Sequence, residues 1–422
     1  MKNILKILVV SLILVSCNKE DDSIGFQKTK LFSISLPDGF YRDNPDQNVK
    51  TSGHVFLTDD MGKPIIDREL SNNTTTELIT EFDTDNKFDV TFLQKTEYLD
   101  ENGKIQTNYN LKTFANVSPY ILEFLQSKKI MKSKDEEIEI IINNTNGYLE
   151  DFIGGSSYGT TGGSNRTEYR TGLGRIPANI YFSFKHEEEE LRRYVLLENL
   201  TKSSVIELEY SGLPVIEEVV TINYPEYPEY DLVWIGIYGA LSSDPNYFFA
   251  PLAREIPYTG GITNNFNIPV SLFNKFRVIT RVKLDNESFF TDEISNHIDN
   301  NYTKPNLSFQ VLNNSIQNYE ISSSSVFDYY SIYCYYNNDI ENYSVNWSFY
   351  GQSQNNIKLT KPNILNLLDI GNTTPSFNDF KIPSTSLKNV EGINSYKDYI
   401  ISVIDPNSKE AKQIIKQESI SK

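Results

Sequence analysis

The sequence predicts an all-β chain of tandem sandwich domains, immunoglobulin-like or transthyretin-like, with a short helical connector. Three observations carry that reading. The chain holds 27 Tyr and 24 Phe in 422 residues, with frequent Ile, Val and Thr, and these side chains suit a pleated, half-buried surface. Apolar residues alternate with polar ones in short runs of period two. Turn clusters interrupt the runs every ten residues or so, the rhythm of a sandwich.

The first residues concern address rather than fold. A basic Met1-Lys2-Asn3 leads into an apolar run from Ile7 to Val15 broken only by Ser11, the grammar of an export signal. The run is about half of the roughly 20 residues that cross a bilayer, so it cannot span alone. Leu14-Val15-Ser16-Cys17 follows directly and resembles the bacterial lipobox. The resemblance implies a signal peptide over 1–16, cleavage between Ser16 and Cys17, and a lipoprotein held to a membrane by palmitate-type chains on Cys17. Each buried methylene of such a chain contributes about 0.8 kcal/mol. Residues 17–27 then form a tether in which Lys19 precedes Glu20, Asp21 and Asp22. This cluster resembles the export signal of Bacteroidota lipoproteins, and implies lipid anchoring at the outer membrane with display on the extracellular side. Asp22-Ser23-Ile24 resembles the O-glycosylation site of that phylum, with Ser23 as acceptor.

Composition narrows the partners. Loss of residues 1–16 removes Lys2 and Lys6, taking 39 basic side chains to 37 against 56 acidic ones, a net charge of −19 with His neutral. Nucleic acid is therefore not an expected partner, because its binding rests on Lys and Arg neutralising phosphates. The only cysteines are Cys17 and Cys334. With the first consumed by lipid no intrachain disulfide is expected, and Cys334 reads as a buried small hydrophobe in a strand.

The N-terminal sandwich is predicted over 28–117. Its strands are 31–36, His54 to Thr58, Leu78 to Phe82 and Phe88 to Leu93, with turns at Pro37-Asp38-Gly39 and Asp59-Asp60-Met61-Gly62. Asn102-Gly103 between Tyr98 and Ile105 is the strongest hairpin signal and predicts a type I′ turn, with positive φ at both residues. Ile34 to Gly39, Gly53 to Leu57 and Asp60-Met61-Gly62-Lys63-Pro64 resemble the carboxypeptidase regulatory-like sandwich, which implies a presenting module without catalysis. Ser118-Pro119, then Ile121, Leu122, Leu125 and a lysine cluster from Lys128 to Lys134, predict a helical connector over 118–136, capped by Ser118 with Pro at its first position.

A second sandwich is predicted over 137–215, from strands at Ile138–Ile142, Ile180–Phe184, Tyr194–Leu197 and Val205–Tyr210. The stretch Gly154 to Gly174 holds seven of the 21 glycines and predicts a long structureless loop, functional or disordered. The third sandwich, 216–307, holds the Pro-punctuated Tyr224 to Tyr230 and strands at Leu232–Ala240 and Phe276–Val282. Leu307–Leu312 closes it. A C-terminal β domain, 308–422, takes strands at Tyr329–Tyr336, Ser344–Phe349 and Tyr399–Ile404.

No catalytic constellation is complete. Gly155-Ser156-Ser157-Tyr158-Gly159 matches the G-x-S-x-G elbow, but Thr-Thr-Gly-Gly-Ser-Asn after it cannot begin a packed helix around Ser157. His186-Glu187-Glu188-Glu189-Glu190 lacks the second histidine of a zinc-protease helix, and reads as a hairpin turn; His54 and His297 read as surface or strand residues. Glu81-Phe82-Asp83-Thr84-Asp85 approaches a glycosidase strand motif, yet position 86 is Asn where the acid/base glutamate belongs. Asp83, Asp85 and Asp89 imitate a calcium loop with Lys87 in a ligand position. No metal or cofactor is expected. Trp234, Trp347 and Tyr158 are the candidate ligand-contact aromatics, since a ring offers a flat apolar face with, in Trp and Tyr, a polar handle; the two tryptophans, each inside a strand-like run, read first as core residues and second as platforms. The leading expectation is a non-catalytic module that captures a glycan or protein beside an outer-membrane transporter. A structural or adhesive spacer is the second reading and a hydrolase the third. Binding calls for a contiguous exposed aromatic patch near one sandwich end or the Gly154–Gly174 loop.

Overall fold

The structure, a computed structural model, describes residues 29–41, 48–80, 87–100, 102–119, 121–124, 136–147, 149–154, 157–163, 166–172, 178–224, 230–241, 250–255, 263–368, 370, 374–406 and 413–422. These residues form an all-β, multi-domain sandwich fold with one α-helix. At its centre lies a twelve-stranded sheet. From edge to edge its strands are Ala250–Glu255, Tyr230–Ala240, Lys275–Leu284, Ser288–Ser295, Lys416–Ser421, Lys381–Glu391, Tyr329–Asn338, Tyr343–Gln352, Ile105–Val117, Phe88–Leu99, Lys50–Thr58 and Pro64–Leu70. Tyr343–Gln352 and Ile105–Val117 run parallel to each other. That pair joins the C-terminal strands to the N-terminal ones, so a single sheet passes through three stretches of the chain that are distant in sequence.

Strict alternation builds this sheet. Along Tyr343–Gln352, Tyr343, Val345, Trp347, Phe349 and Gly351 are buried while Ser344, Asn346 and Ser348 are half-exposed, because successive side chains point to opposite faces. The first face, carrying Trp347, is covered by a three-stranded sheet of Phe309–Asn313, Glu320–Ser323 and Asn356–Lys358. Farther along, the same face packs with the pair Val219–Asn223 and Thr263–Asn267, giving a core with Ile235, Ile237, Val278 and Phe289. The second face is covered at the Pro64–Leu70 end by the strands Thr74–Thr80, Thr29–Leu36 and Ile121–Glu123 and by the helix Tyr396–Ile404. The second sandwich has a core of its own, while its Tyr181 packs edge-on against Phe273 of the neighbouring unit at 5.4 Å. Its four-stranded sheet (Ser157–Gly163, Arg166–Gly172, Glu137–Asn143, Ser204–Glu209) packs on a three-stranded one (Arg192–Leu200, Ala178–His186, Leu149–Gly154), around Ile138, Ile140, Ile142, Tyr169, Phe182 and Phe184.

Four local expectations are corrected. The expected connector helix is, where described, a strand: Ile121–Glu123 pairs parallel with Ser33–Ser35, and residues 125–135 lie outside the described residues. Leu122 and Phe124 are both buried two residues apart, the strand period. Conversely Tyr399–Ile404, expected as a strand, is the helix. Ser395 caps it by accepting from the Asp398 N–H at 3.1 Å, and Tyr396, Tyr399 and Ile400 form its buried stripe, with Tyr399 stacked on Tyr329 at 3.8 Å. The β-branched run Ile400 to Ile404 concealed this stripe. The glycine-rich stretch is not structureless, for Ser157–Gly163 and Arg166–Gly172 form an antiparallel hairpin on Glu137–Asn143. Thr167, Tyr169 and Thr171 point inward in alternation, and Tyr169 stacks on Phe182 at 4.8 Å.

The fourth correction is the Asn102-Gly103 turn. Only Gly103 has positive φ, +74°; Asp100 Oδ1 instead accepts the N–H groups of Asn102 and Lys104, each at 2.9 Å. The hairpin is therefore not the expected type I′ turn but is closed by a left-handed glycine and the Asp100 side chain. Asp59 does the same for Met61 and Lys63, with Gly62 at φ +79°. The two glycines differ in surroundings. A Cβ on Gly103 would meet nothing within 4 Å, whereas one on Gly62 would lie 2.1 Å from the Lys361 carbonyl oxygen, where the N-terminal hairpin abuts the C-terminal chain. Gly103→Ala is thus expected to cost only the left-handed penalty of about 1–2 kcal/mol. Gly62→Ala must add a backbone clash, and in parallel thermal melts it should lower Tm clearly more; equal losses would contradict this contact.

Candidate functional site

On the second face of the long sheet, beyond the N-terminal cover, cross-strand pairing sets nine residues in a grid. Trp234, Arg281 and Phe290 form one row, Gly236, Ile279 and Asp292 the next, and Tyr238, Arg277 and Ile294 the third. The central glycine shapes it. A Cβ on Gly236 would lie 2.7 Å from Trp234 Cη2 and 3.0 Å from Tyr238 Cε2, so the two rings close over the bare backbone from either side. Residues two apart share a face, but only a missing side chain lets both rings fold down onto the strand. Ile235 and Ile237, which alternate with them, are fully buried on the first face and hold the strand in place.

Charge frames these rings. Arg277 donates from Nε and Nη2 to the two carboxylate oxygens of Asp292 at 2.8 and 2.6 Å, a planar bidentate pair. That hydrogen bonding holds the Arg277 pKa above the ordinary guanidinium range. Arg281 lies 6.0 Å from the Phe290 ring centroid. None of the nine residues belongs to any of the four apolar cores, so among the described residues no layer packs over the grid.

The same face carries a second aromatic pair. Tyr333 and Tyr335 stack at 6.4 Å and 20°, with Lys381 Nζ 6.0 Å from the Tyr335 ring and the Tyr333 hydroxyl donating to Asn346 Oδ1 at 2.6 Å. Their strand lies five places from Tyr230–Ala240, about 24 Å at ~4.8 Å per strand. Beside the grid this face carries Gln417, Ser419 and Ser421, paired to Asp292, Phe290 and Ser288, and the next strand sets Val390, Lys388 and Ser386 opposite them, Val390 belonging to the core that holds the helix. Aromatic platforms bordered by hydroxyls and amides can bind a flat, hydroxyl-rich ligand.

The sequence candidates fare differently. Trp234 lies in the grid. Trp347 does not contact solvent: it is fully buried, its indole N–H donating to Thr113 Oγ1 at 2.8 Å, so as a ligand contact it is corrected to a core residue. Tyr158 lies in the strand Ser157–Gly163, its backbone opposite Arg170. Ser157 opens that same strand. Ser16, Cys17, Lys19, Glu20, Asp21, Asp22 and Ser23 lie outside the described residues, as do Glu81, Phe82, Asp83, Thr84 and Asp85. Cys334 is buried, its thiol pushed up to about 12 by desolvation.

The histidines stand apart from one another. His54 Nε2 is 3.4 Å from Asp67 and His297 Nε2 is 2.9 Å from Asp299. His186 ends the strand before its hairpin turn, buried, with Nδ1 accepting from the Glu188 N–H at 3.0 Å. Among the described residues no group of three or more His, Cys, Asp or Glu side chains could hold a metal, and no helix is long and apolar enough to cross a membrane. Sequence reading missed Tyr238, Arg277, Arg281, Phe290, Tyr333 and Tyr335. The available signal was the alternation of Trp234, Gly236 and Tyr238 with Ile235 and Ile237, which gives one strand a second, aromatic face.

No protein-family model matches the chain, and no curated protein matches it. Among solved structures, the Bacillus anthracis TIE protein aligns at 10% identity over 76% of this chain and 68% of its own, with a TM-score of 0.14. A likeness that low carries no argument about fold or function.

Proposed function

We propose that the chain is a cell-surface lipoprotein, anchored through lipid on Cys17, that captures a glycan on the open face of its long sheet without transforming it. The observation that carries this reading is Gly236 with Trp234 and Tyr238 closed over it. Flat rings present apolar faces to the C–H groups of a sugar, and the flanking Arg277–Asp292 pair and Arg281 offer fixed polar partners. A stable protein interface would ask for an apolar centre; here the strand bordering the grid offers Gln417, Ser419 and Ser421. The N-terminal signal, the lipobox-like Leu14 to Cys17 and the acidic tether support the surface address.

The test is a glycan array probed with the soluble chain starting at Ser23, followed by titration of each positive glycan. Trp234→Ala and Tyr238→Ala are each expected to weaken binding about tenfold or more. Both should melt within about 1 kcal/mol of the parent, because neither ring belongs to an apolar core. No retained glycan would favour the spacer, and turnover of a bound glycan the hydrolase.

A further inference from the structure

On the first face of the sheet, over strands five to eight places from the Trp234 strand, with Asp89 the farthest, about 38 Å away at ~4.8 Å per strand, the N-terminal and C-terminal strands enclose a cleft of about 270 Å³. Its floor is Asp89, Thr113, Tyr330 and Phe349, each 5% exposed or less; Asn116 and Asn356 stand exposed on its rim. Asp89 Oδ1 accepts the Asn116 N–H at 2.9 Å. Among the described residues its other oxygen has no hydrogen-bond donor and no basic side chain pairs with it. The charges bearing on it are those of Asp59 and Asp60. Lys358, also on the cleft wall, points its ammonium to Glu320 at 3.7 Å and is largely exposed.

These groups select a chemistry. An anion would face three carboxylates with no cation among the described floor residues, and among the described residues a metal ion lacks a ligand set. A buried carboxylate with an open oxygen wants a donor, the rim amides both donate and accept, and Phe349 and Tyr330 supply apolar ring surface. Hydroxyls arranged round a ring meet all three requirements. We propose that this cleft is a second binding site, separate from the open face, that takes one saccharide unit, neutral or N-protonated, with Asp89 accepting from its hydroxyl or ammonium group. The inference rests on the cleft alone and not on the reading of the Trp234 grid.

The test is saturation-transfer NMR and calorimetry with glucose, galactose, mannose and glucosamine, on the parent protein, Asp89→Asn, Asn356→Ala and Trp234→Ala, each first shown to melt cooperatively. At least one sugar is expected to bind the parent and Trp234→Ala alike. Its affinity should fall about tenfold or more in Asp89→Asn, since a bond to a charged acceptor is lost, and by less in Asn356→Ala. Absence of transfer from all four sugars, or equal binding by the parent and Asp89→Asn, would overturn the proposal. Binding lost in Trp234→Ala but kept in Asp89→Asn would overturn it too, while leaving the open face in place.

Discussion

Trp347→Ala is expected to loosen the N-terminal and C-terminal strands together and to leave the second sandwich intact. The indole is fully buried, stacked on Phe349 at 4.9 Å and met edge-on by Phe377 and Phe380 at 5.6 and 6.0 Å. Its removal deletes the largest fully buried side chain and one buried hydrogen bond, a loss of about 3–5 kcal/mol. Thr113 keeps a partner in Thr91 at 2.7 Å, so no hydroxyl is stranded there. Phe56, Leu93 and Leu111 from the N-terminal strands share this core with Ile332, Leu387 and Ile420 from the C-terminal ones. Hydrogen exchange should therefore rise in Phe88–Leu99 and Lys381–Glu391 alike, with Glu137–Asn143 and Arg192–Leu200 unchanged. Faster exchange confined to the C-terminal strands would contradict a shared core.

Asp89→Asn is expected to stabilise the protein at neutral pH and to lose that advantage in acid. Burial is the main cause that lifts the Asp89 carboxyl from its ordinary 3.8 to about 6; Asp60 and Asp59 add to it, and the Asn116 N–H opposes. The folded pKa exceeds the unfolded one, so the native state holds the proton more tightly between pH 3.8 and about 6, and stability falls as pH rises through that window. Above it the ionised group costs the fold up to about 3 kcal/mol. Asparagine retains an oxygen for the Asn116 N–H and cannot ionise. Melting should show Asp89→Asn above the parent at pH 7.5, with the gap closing toward pH 4. A variant below the parent at both values would contradict the burial argument. A destabilised carboxylate kept in a cleft is what a binding role would preserve against stability.

Much of this architecture could be read from residues alone. Tyr343 to Gln352 alternates so strictly that its strand and buried face follow from the order of side chains. The cap at Ser395 and the stripe Tyr396, Tyr399, Ile400 were also present, but a β-branched run outweighed them until packing against Tyr329 decided for a helix. Glycines hid the Arg166–Gly172 strand, whose inward Thr, Tyr, Thr alternation was intact. What no local pattern carried is pairing at a distance. The parallel match of Tyr343–Tyr350 to Thr107–Phe114 creates both the shared core and the cleft at Asp89, and the grid around Gly236 needs three strands in register. Trp234 could be picked from the sequence, and Tyr238 shares its face by strand period alone, whereas Arg281 and Phe290 could not be found, because their meeting with Trp234 depends on that register.

The decisive measurement is glycan binding by Gly236→Val, beside the parent, on the glycans the array selects. A side chain at that position pushes against the movable ends of Trp234 and Tyr238, so the rings must lift from the strand while the core beneath, built on Ile235 and Ile237, stays packed. If the open face is the capture site, affinity falls about tenfold or more at a nearly unchanged Tm. Undiminished binding by Gly236→Val would place the ligand elsewhere and contradict the proposed site.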